Sequence, residues 1–260
     1  MSILELDYCE LLNDILANGT HMDGRNGGCT FLTGCQIRFD ASKVPLLTKR
    51  KIYYKGVFGE IAAFFKGPSR LSDFENEGCN YWKNWADSDG SIRVDYGNKW
   101  LNFNGKNQLE QLISDLETQP NSRRMIISSW DPSAVDNLSL PCCHYAYQFI
   151  VRGNKLDMVW VQRSVDTAIG LPSDFMLAWA MLLVIANQSG YEMGNIIMQL
   201  GHVHVYDNHI NQVRKYLCQP QHQLPTYKLD KSTSIYDFKA DHIKIENYVF
   251  SPSIKFEINA

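Results

Sequence analysis

The chain has 260 residues, 45% hydrophobic and 20% charged, with a formal net charge of −3. That length sustains one large α/β domain with a substantial buried core and no need of cross-links. The small negative charge excludes a bulk positive field for a nucleic-acid polymer, so any bound phosphate must rely on a few placed arginines.

The opening MSILELDYCELLNDIL mixes acids among its apolar residues and lacks a basic start, so no signal peptide is expected. It reads instead as an amphipathic helix over 3–17, with Leu4, Tyr8, Leu11, Leu12 and Ile15 at helical spacing and Gly19 as its stop. The glycine-rich stretch DGRNGGC at 23–29 reads as a loop, and 30–39 as a strand. Helices follow at 53–65, stopped by Gly67-Pro68, and at 108–118, closed by Gln119-Pro120. Residues 125–130, 145–151, 158–162 and 196–205 read as strands of one sheet, with a helix over 174–188 between the last two.

The longest apolar run, residues 175–186, would span only about 18 Å as a helix, short of the ~30 Å of a bilayer core. A buried helix is expected there, and no membrane partner. Seven cysteines at scattered spacing, with no CxxC pair, point to reduced thiols and a cytoplasmic setting. Strands interleaved with long helices predict a single α/β or α+β domain over 1–260.

Reactive residue types concentrate between 120 and 210: Arg123-Arg124, Cys142-Cys143-His144, the run Gln162-Arg163-Ser164-Val165-Asp166, and His202, His204, Tyr206 and His209. One reading is a thiol nucleophile with arginines for an anionic substrate. A second is a metal site drawn from the Cys/His cluster. The plainest is that the paired cysteines are small buried hydrophobes.

The segment NSRRMIISSWDPSAVDNLSLPCCHYAYQFIVRGNKLDMVWVQRSVDTAIGLPSD, followed by LGHVHVYDNH, resembles thymidylate synthase and the related pyrimidine nucleotide C5 hydroxymethylases. GEIAAFFKG, YWKNWAD, DYGNKW and PSIKFEINA extend the resemblance over nearly the whole chain. It implies a mixed β-sheet packed with helices, a homodimer joined sheet to sheet, 5,10-methylenetetrahydrofolate as co-substrate, and no metal. Cys143 fills the slot of the nucleophile that adds to C6 of the base, although Cys142 replaces the usual proline before it. Arg163 is the expected cationic neighbour that lowers the thiol's pKa.

By the same resemblance, Arg25 in the glycine-rich loop, Arg163 and Ser164 hold the nucleotide phosphate, with Arg123 and Arg124 donated from the second subunit. Glu60 relays protons to the base through water, and His204 with Tyr206 grips the sugar 3′-hydroxyl. Asp166 and Trp82 belong to the folate side. As ordinary structure, Glu60 would be a solvated helix face, Trp82 a core indole, and the arginine pair an exposed strand start.

Asp174 is the informative departure, because thymidylate synthases carry an asparagine there to read the uracil edge. A carboxyl group sharing a proton with N3 and accepting from N4 suits cytosine instead. Taken alone, Asp174 after Pro172-Ser173 reads as a helix N-cap. Ser173, His202 and the polar ending Ile258-Asn259-Ala260 also depart from the synthase pattern, and a wetter site favours a hydroxymethyl product. The expected activity is hydroxymethylation of dCMP, of the kind that serves bacteriophage DNA modification. Open alternatives are dCMP methylation, thymidylate synthesis or dUMP hydroxymethylation, a metal-dependent hydrolase, and an inactive nucleotide- or RNA-binding homologue.

Overall fold

Ser2 caps the first helix, α1 (Ile3–Asn18), by accepting the Glu5 N–H, and Gly19 closes it by donating to Ile15 O at 3.0 Å. Leu4, Tyr8, Leu11, Leu12 and Ile15 are buried, as the helical spacing requires. A computed structural model describes residues 2–24, 26–230 and 234–259. The next element corrects the expected loop: β1 (Thr20–Gly24) and β2 (Gly27–Asp40) form a hairpin, with Asp23 opposite Gly28 and Gly24 opposite Gly27. Gly27, at φ +109, takes a backbone conformation that side chains resist, so the glycines shape the tip of a ribbon. Arg25 lies outside the described residues.

The helices α2 (Tyr54–Phe64) and α5 (Gln108–Thr118) fall where the apolar spacing puts them, with short α3 (Leu71–Glu75) and α4 (Asn98–Leu101) between them. The strands β3 (Ile126–Ser128), β4 (His144–Arg152), β5 (Lys155–Asp166) and β6 (Glu192–Tyr206) follow. Helix α6 (Gly170–Gln188) connects the last two. It begins four residues before the expected 174, because Pro172 fits the first helical turn, where its missing N–H costs nothing. At 19 residues it is also the one helix among the described residues long and apolar enough to cross a membrane, but it is packed inside the core. The chain ends with α7 (Ile210–Leu217) and a separate hairpin of β7 (Thr226–Leu229) and β8 (Ile243–Glu246), neither of which the sequence pattern had indicated.

The main sheet is six-stranded and mixed, in the order β1-β2-β6-β5-β4-β3. Among the described strands only β5 and β6 run parallel; α6 is their crossover, as a parallel connection requires. One face carries Tyr147, Phe149, Met158, Trp160, Ile196 and Met198, all fully buried against the helices. The opposite face carries Ile126, Gln148, Val159, Val161, Ile197 and Gln199, partly exposed, and no described helix covers it. Helix α6 is buried all round because α2 and β7 flank it, with Phe58 and Tyr227 against Trp179 at 6.3 and 4.9 Å.

Glu5 ties the first helix to the rest. It is 1% exposed and accepts from Thr48 N and Oγ1 at 2.7 Å, Lys49 N at 2.8 Å and Tyr216 OH at 2.8 Å. Glu5→Ala would strand four donors in a dry site, a loss of about 3 kcal/mol or more, whereas Tyr216→Phe should cost about 1 kcal/mol. Denaturant midpoints measure both, and equal small losses would show that water replaces the carboxylate.

Candidate active site

The parallel pairing of β5 and β6 places their carboxyl ends together, with Ser164 opposite His202 and Asp166 opposite His204. Antiparallel β4 starts at the same end, where His144 pairs with Gln162, so Cys143 just before it arrives there too. The N-terminus of α6 completes the cluster. Crevices at the carboxyl ends of parallel strands are where open α/β sheets bind ligands.

Cys143 is half-buried, and Cys142 beside it is 1% exposed with its thiol on Ser129 O at 3.7 Å. The paired cysteines thus divide: Cys142 is a core residue, Cys143 the reachable thiol. The expectation of a lowered pKa is corrected. Burial pushes the Cys143 thiol up to about 11, outweighing the Arg163 charge that pulls it down. Arg163 is exposed, and its guanidinium donates to Cys142 O at 2.7 Å and Pro141 O at 3.1 Å, so it braces the backbone before Cys143. His144 offers no charge either, since burial drives its pKa down to about 3.

Tyr96 is a neighbour of Cys143 that the residue-by-residue reading missed. Its ring is buried between Phe64 and His144, at 4.9 and 4.4 Å. The hydroxyl accepts the Cys143 N–H and acts on the Cys143 thiol to favour its ionised form. The signal lay in DYGNKW, which contains it.

Glu60 sits on α2 with both oxygens engaged, Oε2 by Tyr81 OH and Oε1 by Trp82 Nε1, each at 2.7 Å. Gly59 lets this happen, because a Cβ there would stand 2.4 Å from Glu77 O, the segment that leads to Tyr81. Burial raises the Glu60 pKa to about 7 against those two donors, so Glu60 is not the solvated helix face of the plain reading. Trp82 is 2% exposed and stacks on Phe74 at 4.7 Å, so its visible task is to hold Glu60.

Asp174 lies in the second turn of α6, with Ile169 in the cap position, which overturns the N-cap reading. The start of α6 is served instead by Asp166, whose Oδ1 accepts from Ala168 N at 2.9 Å and Ile169 N at 3.2 Å. Burial, with the Glu60 and Asp166 charges, raises the Asp174 pKa to about 7, while a 2.7 Å bond from Gln162 Nε2 to Oδ2 opposes the shift. Cys143 in turn senses the charges of Asp174 and Asp166, so these groups form one electrostatic cluster.

His204 is 5% exposed, meets Tyr206 edge-on at 4.9 Å and faces His202 with Nδ1 to Nδ1 at 3.2 Å. Tyr206 bonds Asn26 at the hairpin tip and senses both Asp166 and Cys143. Ser164 is half-buried, and its carbonyl accepts from Gln162 Nε2 at 3.2 Å. Arg123 and Arg124 are exposed ahead of β3, and Arg124 borders a groove with Gln108, Asp115 and Ile126, outside the Cys143 cluster. The tail docks beside the site: His209 Nε2 meets Glu257 O at 2.8 Å, and Asn259 exchanges amide bonds with Asn208 at 3.2 and 3.1 Å. Among the described residues no group of three or more His, Cys, Asp or Glu is gathered to hold a metal ion.

A family model described as thymidylate synthase matches residues 6–260. With a thiol, two carboxyls of raised pKa and a His–Tyr pair at one sheet end, the chain belongs to the thymidylate synthase family, whose shared chemistry is folate-dependent one-carbon transfer to a pyrimidine nucleotide.

Proposed function

We propose that this protein hydroxymethylates dCMP at C5, using 5,10-methylenetetrahydrofolate and water. The carrying observation is Asp174, a carboxyl whose pKa stands at about 7 and whose Oδ2 is held by Gln162. A carboxyl that keeps its proton near neutral pH both donates and accepts. Cytosine offers the matching pair, an N3 acceptor and an N4 donor, and protonation at N3 makes C6 more electrophilic.

In this reading Cys143 adds to C6 and later leaves, with Tyr96 OH stabilising the sulfur as it gains or sheds charge. The high thiol pKa of the free protein keeps Cys143 protonated until a base is present to accept the adduct. Glu60, poised near neutrality, holds or passes a proton at its oxygens on the base side. His204 and Tyr206 take the sugar hydroxyl; Arg25, Arg163 and Ser164 take the phosphate. When bound, the folate supplies the methylene at formaldehyde oxidation level. Asp166 and Trp82 fit its side of the site through the α6 start and the Glu60 support. The uncovered sheet face, apolar at Ile126, Val159, Val161 and Ile197, supports a sheet-to-sheet homodimer in which Arg123 and Arg124 reach the partner's phosphate site.

Three outcomes check this. Cys143→Ser should abolish transfer while nucleotide binding persists, and Cys142→Ser should retain activity; loss following Cys142 alone would misplace the nucleophile. Mixing inactive Arg124→Ala and Cys143→Ser proteins should restore activity through hybrid dimers with one intact site, and a strictly monomeric protein in sedimentation removes the shared site.

Finally, dCMP and dUMP are compared with methylenetetrahydrofolate, by product mass and by dihydrofolate absorbance. Hydroxymethyl-dCMP without dihydrofolate is expected; methyl-dCMP with dihydrofolate would make the enzyme a methylase. Because the protonated acid is the working form, kcat/KM for dCMP should hold below pH of about 7 and fall above it. Asp174→Asn should remove that limb and shift specificity toward dUMP by roughly ten- to a hundredfold. A wild type that prefers dUMP sinks the cytosine reading.

A further inference from the structure

His202 and His204 alternate along β6, so their side chains stand on the same face of the sheet. The two rings meet there, with Nδ1 facing Nδ1 at 3.2 Å. Two N–H groups cannot point at each other across that gap, so one proton must serve both nitrogens. The neighbours decide which ring carries it, since a histidine's proton positions are read from its partners. His204 Nδ1 also lies 3.4 Å from His202 O, and a peptide carbonyl can only accept. On the far side of its ring, His202 turns Nε2 to Met22 Sδ at 3.3 Å, and a thioether can only accept. Both neighbours ask for the same arrangement. His204 carries its proton on Nδ1, while His202 carries one on Nε2 and offers a bare Nδ1 to His204.

The first hairpin holds His202 in this pose, because Phe31 of β2 stacks on its ring at 4.3 Å and Met22 belongs to β1. Burial keeps His204 below the ordinary imidazole range, against the Asp166 charge that favours the cation. A neutral imidazole has one donor and one acceptor nitrogen. With the proton on Nδ1, the acceptor is Nε2, and among the described residues no hydrogen bond engages it.

We propose that His202 is a positioning residue that keeps the His204 proton on Nδ1, so that a bare Nε2 awaits a hydroxyl of the ligand. The identity of that hydroxyl rests on the reading above, in which His204 and Tyr206 take the sugar. The ligand class then narrows, because the 3′ oxygen must bring a hydrogen to give. A free 3′-hydroxyl does so, and it can accept from Tyr206 OH at the same time. A 3′ oxygen esterified to phosphate has no hydrogen and sets anionic oxygens against the nitrogen lone pair. The pair thus selects a free mononucleotide over a 3′-phosphorylated one.

Nitrogen-15 NMR of histidine-labelled protein in mildly alkaline solution reads the tautomers, with His204→Gln and His202→Asn assigning the signals. The Nδ1–H form of His204 and the Nε2–H form of His202 are expected; the reverse pair overturns the proposal. His202→Phe keeps the stack on Phe31 but offers no acceptor, leaving only the longer carbonyl contact. His204 should then show both tautomers, and His202→Asn, whose amide oxygen accepts, should restore the Nδ1–H form. An unchanged His204 in His202→Phe means that the backbone alone places the proton, which overturns the role of His202.

Binding supplies the second readout, using whichever of dCMP and dUMP the wild type holds more tightly. Its Kd should rise about tenfold in His202→Phe and recover in His202→Asn. The matching 2′,3′-dideoxy nucleotide should bind both proteins alike; an equal loss for it shows a merely structural role and overturns the proposal. Tautomers that move while Kd does not refute the sugar contact of His204, and the proton placement stands. Should His202→Phe fail to fold, the wild-type spectra decide the placement. Wild-type binding of the 3′-phosphorylated nucleotide then decides the ligand class, and affinity equal to that of the free 3′-hydroxyl overturns it.

Discussion

The site depends on one constraint, the parallel pairing of β5 with β6. Two parallel neighbours finish at the same end of a sheet, and the helix that joins them must start there. Asp166, His204 and Tyr206 are brought together by that geometry before any side chain contributes. Asp174 follows because it lies on the second turn of the connecting helix. Cys143 follows because β4 runs antiparallel and begins where β5 ends. The long apolar body of α6 is what holds the crossover in place, sealed by α2 on one side and β7 on another.

Within that frame, burial is the dominant electrostatic agent. It raises Cys143 to about 11 and both Asp174 and Glu60 to about 7, and lowers His144 to about 3. Desolvation works against charge of either sign, so it lowers the charge this cluster carries near neutral pH. Placed donors then correct individual groups: Tyr81 and Trp82 on Glu60, Gln162 on Asp174, Tyr96 on Cys143. These corrections are short, directional and few. They leave each group able to change protonation in response to a bound molecule rather than to the solvent.

Helices with one apolar stripe were legible in the sequence, as α1 and α5 show, because burial on one face leaves a clear period. The start of α6 was not, since Pro172 suggests a break yet also fits a first turn. The hairpin tip was missed because glycine marks loops and tight ribbons alike; only the pairing of Asp23 with Gly28 separates them. Strands β7 and β8 are four residues each and too short for a period to show. Among candidate site residues, those named by position in a motif, such as Cys143 and Glu60, could be nominated from the sequence. Supporting partners such as Tyr96 and Tyr81 come from distant segments whose approach no spacing encodes. The net direction of the Cys143 shift was misjudged for a related reason: a sequence names the nearby arginine but not the depth of burial.

The docked tail adds a constraint of timing. Asn26 at the tip of the first hairpin donates to Asn259 O, 233 positions away in sequence, and His209 meets Glu257. Strand β2 likewise pairs with β6, with Cys29 opposite Tyr206. Such pairing over long sequence separations is slow, because chain entropy is lost before contacts form. Until β6 has been made, the β1–β2 ribbon has no neighbour for its inner edge. The thiol, the two carboxyls and the His204–Tyr206 pair therefore share one surface only once β6 is in place, and shorter fragments would carry Cys143 and Glu60 without these neighbours.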